Sequence, residues 1–391
     1  MNTPSTLTGR RFEVRYRIRA ASLEAAREAA AALALEQSVE VPMEAVFDEG
    51  VRDHIVGRVI SVEPSAERRL TAADGRFDVR VALAADTTGD DVAQTVNMLF
   101  GNSSLLDHVE LVDADLPESL VRSCGGPRFG IEGLRRLTGA TDRALTCAAL
   151  KPQGLPVEEL ARLCHTFAAN GIDIIKDDHG ISNQHYSPFL ARVRACQREI
   201  ERAGKETGRR ALYAPSLVGS PKALYERAKI LRDEGVGAAL VAPVLIGLPV
   251  FQELVAEHLN VPVLAHPAYA GAARVAPPFL LGRLFRLLGA DAVIYPHFGG
   301  RFAYSESTCR DIAQTARAAW GDAHATLSVR SSLPVPAGGM NVDRVRELVG
   351  FYGRDVMLLI GGSLLRSGDQ LPARTREFVR NVAAASEGIP A

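Results

Sequence analysis

From residue 144 onward, short apolar runs alternate with stretches of helical periodicity. The apolar runs cover 144–150, 172–175, 211–217, 237–242, 261–265, 291–295, 332–335 and 356–360. Helical patterns lie between them over 156–170, 188–207, 221–235, 248–259, 278–289, 306–320, 341–352 and 370–384. Several of these open on proline, whose fixed φ suits a first helical turn. Eight strands alternating with eight helices over about 250 residues predict a (β/α)8 TIM barrel. A doubly wound sheet is the alternative, but it does not require eight regular units.

The chain before the barrel has no such beat. Residues 12–18 alternate apolar and charged, as a half-buried strand does. Residues 22–35 read as an alanine-rich amphipathic helix with Ser22 as its N-cap. Further strands are expected over 55–62, 76–83 and 108–112, and a helix over 90–100. This order predicts a small α+β, ferredoxin-like domain over 1–125, with the barrel over 126–391 and the boundary at Cys124-Gly125-Gly126-Pro127.

Composition narrows the class without naming a chemistry. A net charge of −1 gives no basic field for nucleic acid or an anionic membrane. No apolar run approaches the roughly 18 residues that span a bilayer. The first residues lack a charged segment followed by an apolar one, so no signal peptide is expected. The five cysteines are dispersed with no CxxC spacing, which fits reduced thiols rather than disulfides or structural zinc. A soluble cytoplasmic protein is the expectation.

Active sites of such barrels form at the C-terminal ends of the strands. The first apolar run is followed by Lys151-Pro152-Gln153, and the second by Lys176-Asp177-Asp178-His179. The fifth ends in His266 and the sixth in His297-Phe298-Gly299-Gly300-Arg301. The seventh and eighth end in Gly338-Gly339 and Gly361-Gly362. Each has an ordinary reading: a histidine at a strand end is usually structural, an Asp pair often caps a helix, and glycine pairs serve turns. Their placement on one rim is what favours a site. Asp and His suit a divalent cation such as Mg2+ or Mn2+. The glycine pairs follow the strands where barrels cradle phosphate. A lysine among such groups can act as acid, base or electrophile. Together they suit an enediolate formed from a phosphorylated ketose or keto acid.

The stretch Gly171-Ile172-Asp173-Ile174-Ile175-Lys176-Asp177-Asp178-His179 resembles the Gly-x-Asp-Phe-x-Lys-Asp-Asp-Glu signature of the RuBisCO large subunit, and the chain is most similar to the form IV RuBisCO-like proteins. The resemblance spans nearly the whole chain. It implies that Lys176 can carry a CO2-derived carbamate and that Lys176, Asp178 and His179 hold Mg2+. It further implies catalytic roles for Lys151, Lys176 and His266, and substrate or phosphate contacts from His297, Arg301, Gly338, Gly339, Gly361 and Gly362. Glu36 and Asn97 are similar to N-terminal residues that reach substrate, Glu36 in a partner's active site, which implies a homodimer with inter-subunit sites.

The departures also matter. The family's metal-ligand glutamate is His179, its second lysine of Lys-Pro-Lys is Gln153, and the arginine after the fifth-strand histidine is Pro267. The loop after the sixth strand has no lid lysine. Carboxylation of ribulose bisphosphate is not expected; a monophosphorylated keto-sugar or keto-sugar acid fits better. The first expectation is a decarboxylase or transcarboxylase/hydrolase of the 3-oxo-isoapionate 4-phosphate type. The alternative is a methionine-salvage-type enolase or isomerase of a methylthio-ketose phosphate, although the enolases use a lysine near the place of Asn97. A catalytically degenerate binding module and a Schiff-base aldolase complete the field.

Overall fold

The computed structural model describes residues 7–66, 75–302, 304–320 and 328–389, so part of the N-terminal stretch read for a leader lies outside the described residues. The chain forms two compact units: one holds the residues up to Ser123 together with Gly271–Leu280, the other Cys124–Ala270 with the chain from Leu281 onward. Assigning 271–280 to the first unit differs from the continuous second segment read from sequence.

In the first unit, strands β1 (Arg11–Ala20), β2 (Arg58–Pro64), β3 (Gly75–Ala84) and β4 (Val109–Ala114) form an antiparallel sheet in the order β2-β3-β1-β4. With the helices Leu23–Glu36 and Val92–Phe100 between strands, this is the β-α-β-β-α-β arrangement of ferredoxin-like domains. The alternation in β1 works as expected: Phe12, Val14, Tyr16 and Ile18 are buried, and the Tyr16 hydroxyl donates to Leu99 O at 2.7 Å. Ser22 caps the first helix by accepting from Ala25 N–H. Segment 271–280 joins this unit through the β4 edge, where Leu111 N–H donates to Arg274 O and Ala276 N–H to Leu111 O.

The second unit is the expected barrel. Its strands are β5 (Leu145–Leu150), β6 (Ile174–Asp177), β7 and β8 (Leu212–Ala214 and Ser216–Leu217, one strand interrupted at Pro215), β9 (Ala239–Val241), β10 (Val263–Ala265), β11 (Ala292–Pro296), β12 (Leu333–Ala337) and β13 (Met357–Ile360). They pair in parallel as β13-β5-β6-β7 and β8-β9-β10-β11-β12, and β12 lies beside β13 to close the ring. Strands buried on both faces read as continuous apolar runs, which explains why the sequence lacks alternation here. Leu145, Cys147, Ile174, Leu240, Leu264, Ile294 and Val335 share one core, joined by Ile131 and Leu134 of helix Gly130–Thr138.

Two helices differ from their expected form. The one read over 248–259 is α-helical over Leu248–Glu253 and widens to a π turn over Leu254–His258. The one read over 278–289 is a π turn over Pro278–Leu284 followed by one α turn. Gly282 sits in that wide turn, and a Cβ there would fall 2.9 Å from Thr315 Cβ, so close packing on helix Glu306–Arg317 needs the glycine. No helix among the described residues is long and apolar enough to cross a membrane.

Candidate active site

Strand β6 delivers the central groups, and the two-residue period of a strand sorts them. Asp177 points to the helix side. Its carboxylate accepts from Arg192 Nε at 3.0 Å, Tyr213 OH at 2.7 Å and Ser216 N–H at 3.0 Å. Both Asp177 and Arg192 are fully buried, so this ion pair anchors β6 to its flanking helix.

Lys176 and Asp178 take the other side. Lys176 is buried, and its ammonium donates to Asp177 O at 2.9 Å. Burial lowers its pKa to about 8; Cys147 works against the shift, Lys151 adds to it, and Asp177 opposes it. A buried lysine with a near-neutral pKa can supply a free amine under ordinary conditions. Asp178 is also buried, and its Oδ2 forms an ion pair with Lys151, which follows β5. Burial lowers the Lys151 pKa, and the Arg301 charge lowers it further.

His179 and His266 meet above this pair. Their rings stack with centroids 4.2 Å apart and planes 14° from parallel. His179 Nδ1 lies 2.8 Å from Asp178 Oδ1. His266 follows β10, and its Nδ1 accepts from Ala268 N–H at 3.1 Å, which leaves the imidazole proton on Nε2. Burial first, then the charges of Lys176, His179 and Lys151, push its pKa down to about 2. His266 is therefore a neutral donor through Nε2, not an acid. Burial lowers the His179 pKa as well, with help from Lys176, Lys151 and Arg301.

The loops after β11 and β12 lie against each other. Arg301 N–H donates to Gly338 O at 3.1 Å, and a Cβ on Gly300 would fall 2.0 Å from that same oxygen. Gly338 and Gly339 have φ of 86° and 94°, in the left-handed region that favours glycine. Gly361 lies beside Lys151, with space for a Cβ 3.8 Å from the lysine Cδ and Cε, and Gly362 follows it.

His297 stands in different surroundings. It is buried, and neither ring nitrogen has a hydrogen-bond partner among the described residues. Burial brings its pKa down to about 4; Arg344 adds to this and Glu347 opposes it, whereas Lys176 and Lys151 act on His179 and His266. Glu36 and Asn97 belong to the other compact unit. Glu36 Oε1 accepts from Asn102 Nδ2 at 3.0 Å, and the Asn97 carbonyl accepts from Gly101 N–H at 2.7 Å.

The structure thus brings together Lys151, Lys176, Asp178, His179 and His266, with the Arg301 charge acting on two of them. The supports Arg192, Tyr213 and Ser216 escaped the sequence reading, because nothing in the spacing links them to Asp177. For a divalent cation, Asp178 Oδ1 and His179 Nδ1 have a workable separation: neighbouring octahedral ligands around Mg2+ stand roughly 2.9 Å apart. Lys176 as an amine offers no anionic oxygen, but as a carbamate it would. Asp178 and His179 fit such an ion as two of its ligands, and a carbamate on Lys176 would supply a third.

The profile of the ribulose bisphosphate carboxylase large chain, catalytic domain, matches residues 130–367. The chain is 47% identical over 382 residues to a protein of Rhodospirillum rubrum named 5-methylthioribulose-1-phosphate isomerase, covering 97% of this chain and 98% of the relative. It is 32% identical over 350 residues to a 2,3-diketo-5-methylthiopentyl-1-phosphate enolase of Geobacillus thermodenitrificans, covering 85% and 82%. The crystal structure of a Rubisco-like protein from Rhodopseudomonas palustris superimposes with a TM-score of 0.86 at 44% identity, covering 97% of this chain and 99% of that one.

Proposed function

Because the chain belongs to the RuBisCO large-chain family, among its RuBisCO-like members, we propose that it is an isomerase of a methylthio-ketose phosphate, of the kind named in its R. rubrum relative. The higher identity to that protein than to the enolase supports isomerisation over enolisation of a diketone. The relatives' names likewise favour this alternative over the decarboxylase that the sequence put first.

The observation that carries the reading is the pairing of a buried near-neutral Lys176 with a neutral His266 whose Nε2 bears the proton. Isomerisation takes a proton from one carbon of the enediolate and returns it to the other, while the hydroxyl proton changes oxygen, and it breaks no carbon–carbon bond. It needs a base for the carbon-bound proton and a donor for the developing oxyanion. Lys176 as free amine is the base. His266 Nε2–H is the donor, and as a neutral imidazole it stabilises oxygen charge without surrendering its proton. Lys151, held by Asp178, adds positive charge beside the reacting oxygens. Gly338, Gly339, Gly361 and Gly362 hold the phosphate through backbone N–H groups, with His297 and Arg301 on the same side.

Asp178, His179 and a carbamylated Lys176 would hold Mg2+, which when bound supplies positive charge for an enediolate. A carbamylated Lys176 has no free amine, so the role of base belongs to the uncarbamylated lysine. The working unit in this reading is a cytoplasmic homodimer in which Glu36 and Asn97 complete a partner's site. Incubation with 5-methylthioribulose 1-phosphate, followed by carbon NMR, tests the reading. Conversion to an isomer without loss of carbon supports it; release of CO2 from a keto-sugar acid phosphate instead would restore the decarboxylase.

A further inference from the structure

The barrel unit exposes four large apolar side chains among the described residues: Leu190, Leu245, Tyr269 and Phe302. Three of them stand in the loops after β9, β10 and β11. These strands are neighbours in one parallel sheet, so their loops share one arc of the strand-end rim. One exposed apolar side chain is ordinary on a protein surface, but three in adjacent strand-end loops put apolar surface on one side of the mouth, where ligand pockets are commonly apolar.

Tyr269 carries a second signal. Its φ is 69°, in the left-handed region that a tyrosine enters only at a cost; Glu40 is the other non-glycine residue at positive φ among the described residues. The turn that holds it is tied to the site: Ala268 N–H donates to His266 Nδ1 at 3.1 Å, and Ala270 N–H to Pro267 O at 3.0 Å. That turn leaves Tyr269 66% exposed, so packing of the side chain does not explain the strain. Phe302 is linked to the site from the other end of the arc. The Arg301 guanidinium lies 4.6 Å from its ring centroid, and the same charge acts on Lys151 and His179. The loops after β12 and β13 carry the glycine pairs Gly338-Gly339 and Gly361-Gly362 in place of large side chains.

We propose that Leu245, Tyr269 and Phe302 form an apolar subsite for the alkylthio tail of the substrate, and that the two aromatic rings set the preference for that tail over a hydroxyl-ended sugar. A thioether is soft and polarisable and packs well against aromatic ring edges. The identity of the tail rests on the isomerase reading; the apolar character of the arc does not.

The test measures dissociation constants by calorimetry for two alkyl phosphates of equal chain length, one ending in methylthio and the other in hydroxyl. Wild-type protein is expected to bind the methylthio ligand about ten-fold more tightly. Tyr269→Ser combined with Phe302→Ser should bring the two ligands within about two-fold of each other. Tyr269→Gly relieves the positive φ, keeps the fold, and should lose part of the preference. Equal binding by the wild type, or an undiminished preference in the double variant, overturns the subsite. Turnover of 5-methylthioribulose 1-phosphate by the same proteins separates the two claims. Tail preference without isomerisation keeps the subsite and removes the isomerase; isomerisation without tail preference does the reverse.

Discussion

The imidazole of His179 lies flat on that of His266, 4.2 Å between centroids, and helps keep it buried and uncharged. His179→Ala removes both the cover and one of the neighbouring charges. The His266 titration followed by proton NMR should then move upward from about 2 toward the ordinary histidine range near 6.5. No movement would mean that the stack does not set its protonation state.

Lys176 makes stability depend on pH. Its pKa is about 8 in the fold, against about 10.4 in an unfolded chain. Between those values the unfolded chain holds a proton that the folded one has lost. Stability should therefore rise with pH across that window, by at most about 1.4 kcal/mol per unit, and the penalty should be constant below it. Lys176→Met should abolish the slope and be more stable at pH 7. Urea melts in bicarbonate-free buffer read this directly; parallel curves for the two proteins would contradict it.

Asp177 and Asp178 should part company on mutation. Asp177→Asn leaves Arg192 buried with its carboxylate partner neutralised and should cost about 3–5 kcal/mol in stability. Asp178→Asn faces the mouth and frees a half-exposed Lys151, so it should cost less stability but lower kcat/KM by about 100-fold. Thermal melts and kinetics on the two variants decide it, and the reverse pattern would exchange their roles.

Metal binding follows from the same cluster. With bicarbonate present, equilibrium dialysis should find one Mn2+ or Mg2+ per chain, weakened about ten-fold or more by His179→Ala. Binding that is indifferent to Asp178→Asn and His179→Ala would place the ion elsewhere.

The barrel was legible because eight parallel strands buried on both faces write themselves as apolar runs, and because the residue after each run is aimed at the mouth. Lys151, Lys176, Asp178, His179 and His266 were picked out that way as candidates, and the fold sets them near one another. What escaped has a physical cause. Arg192 meets Asp177 through helix packing, which leaves no periodic trace. Tyr269 is exposed and stands at a backbone angle that tyrosine rarely adopts, and its type hints at neither. The wide π turns depend on how closely helices approach, as at Gly282. His297 is placed at a strand end by the same pattern, and Arg344 and Glu347 are the charges that act on it.

Solvent exchange tests the central claim most directly. In D2O, wild-type protein turning over 5-methylthioribulose 1-phosphate should place deuterium on a carbon beside the carbonyl, visible by NMR. The Lys176→Met variant should lose that exchange by about 100-fold or more. Conversion with no solvent deuterium in recovered substrate or product, or full exchange by Lys176→Met, would contradict an enediolate formed through Lys176.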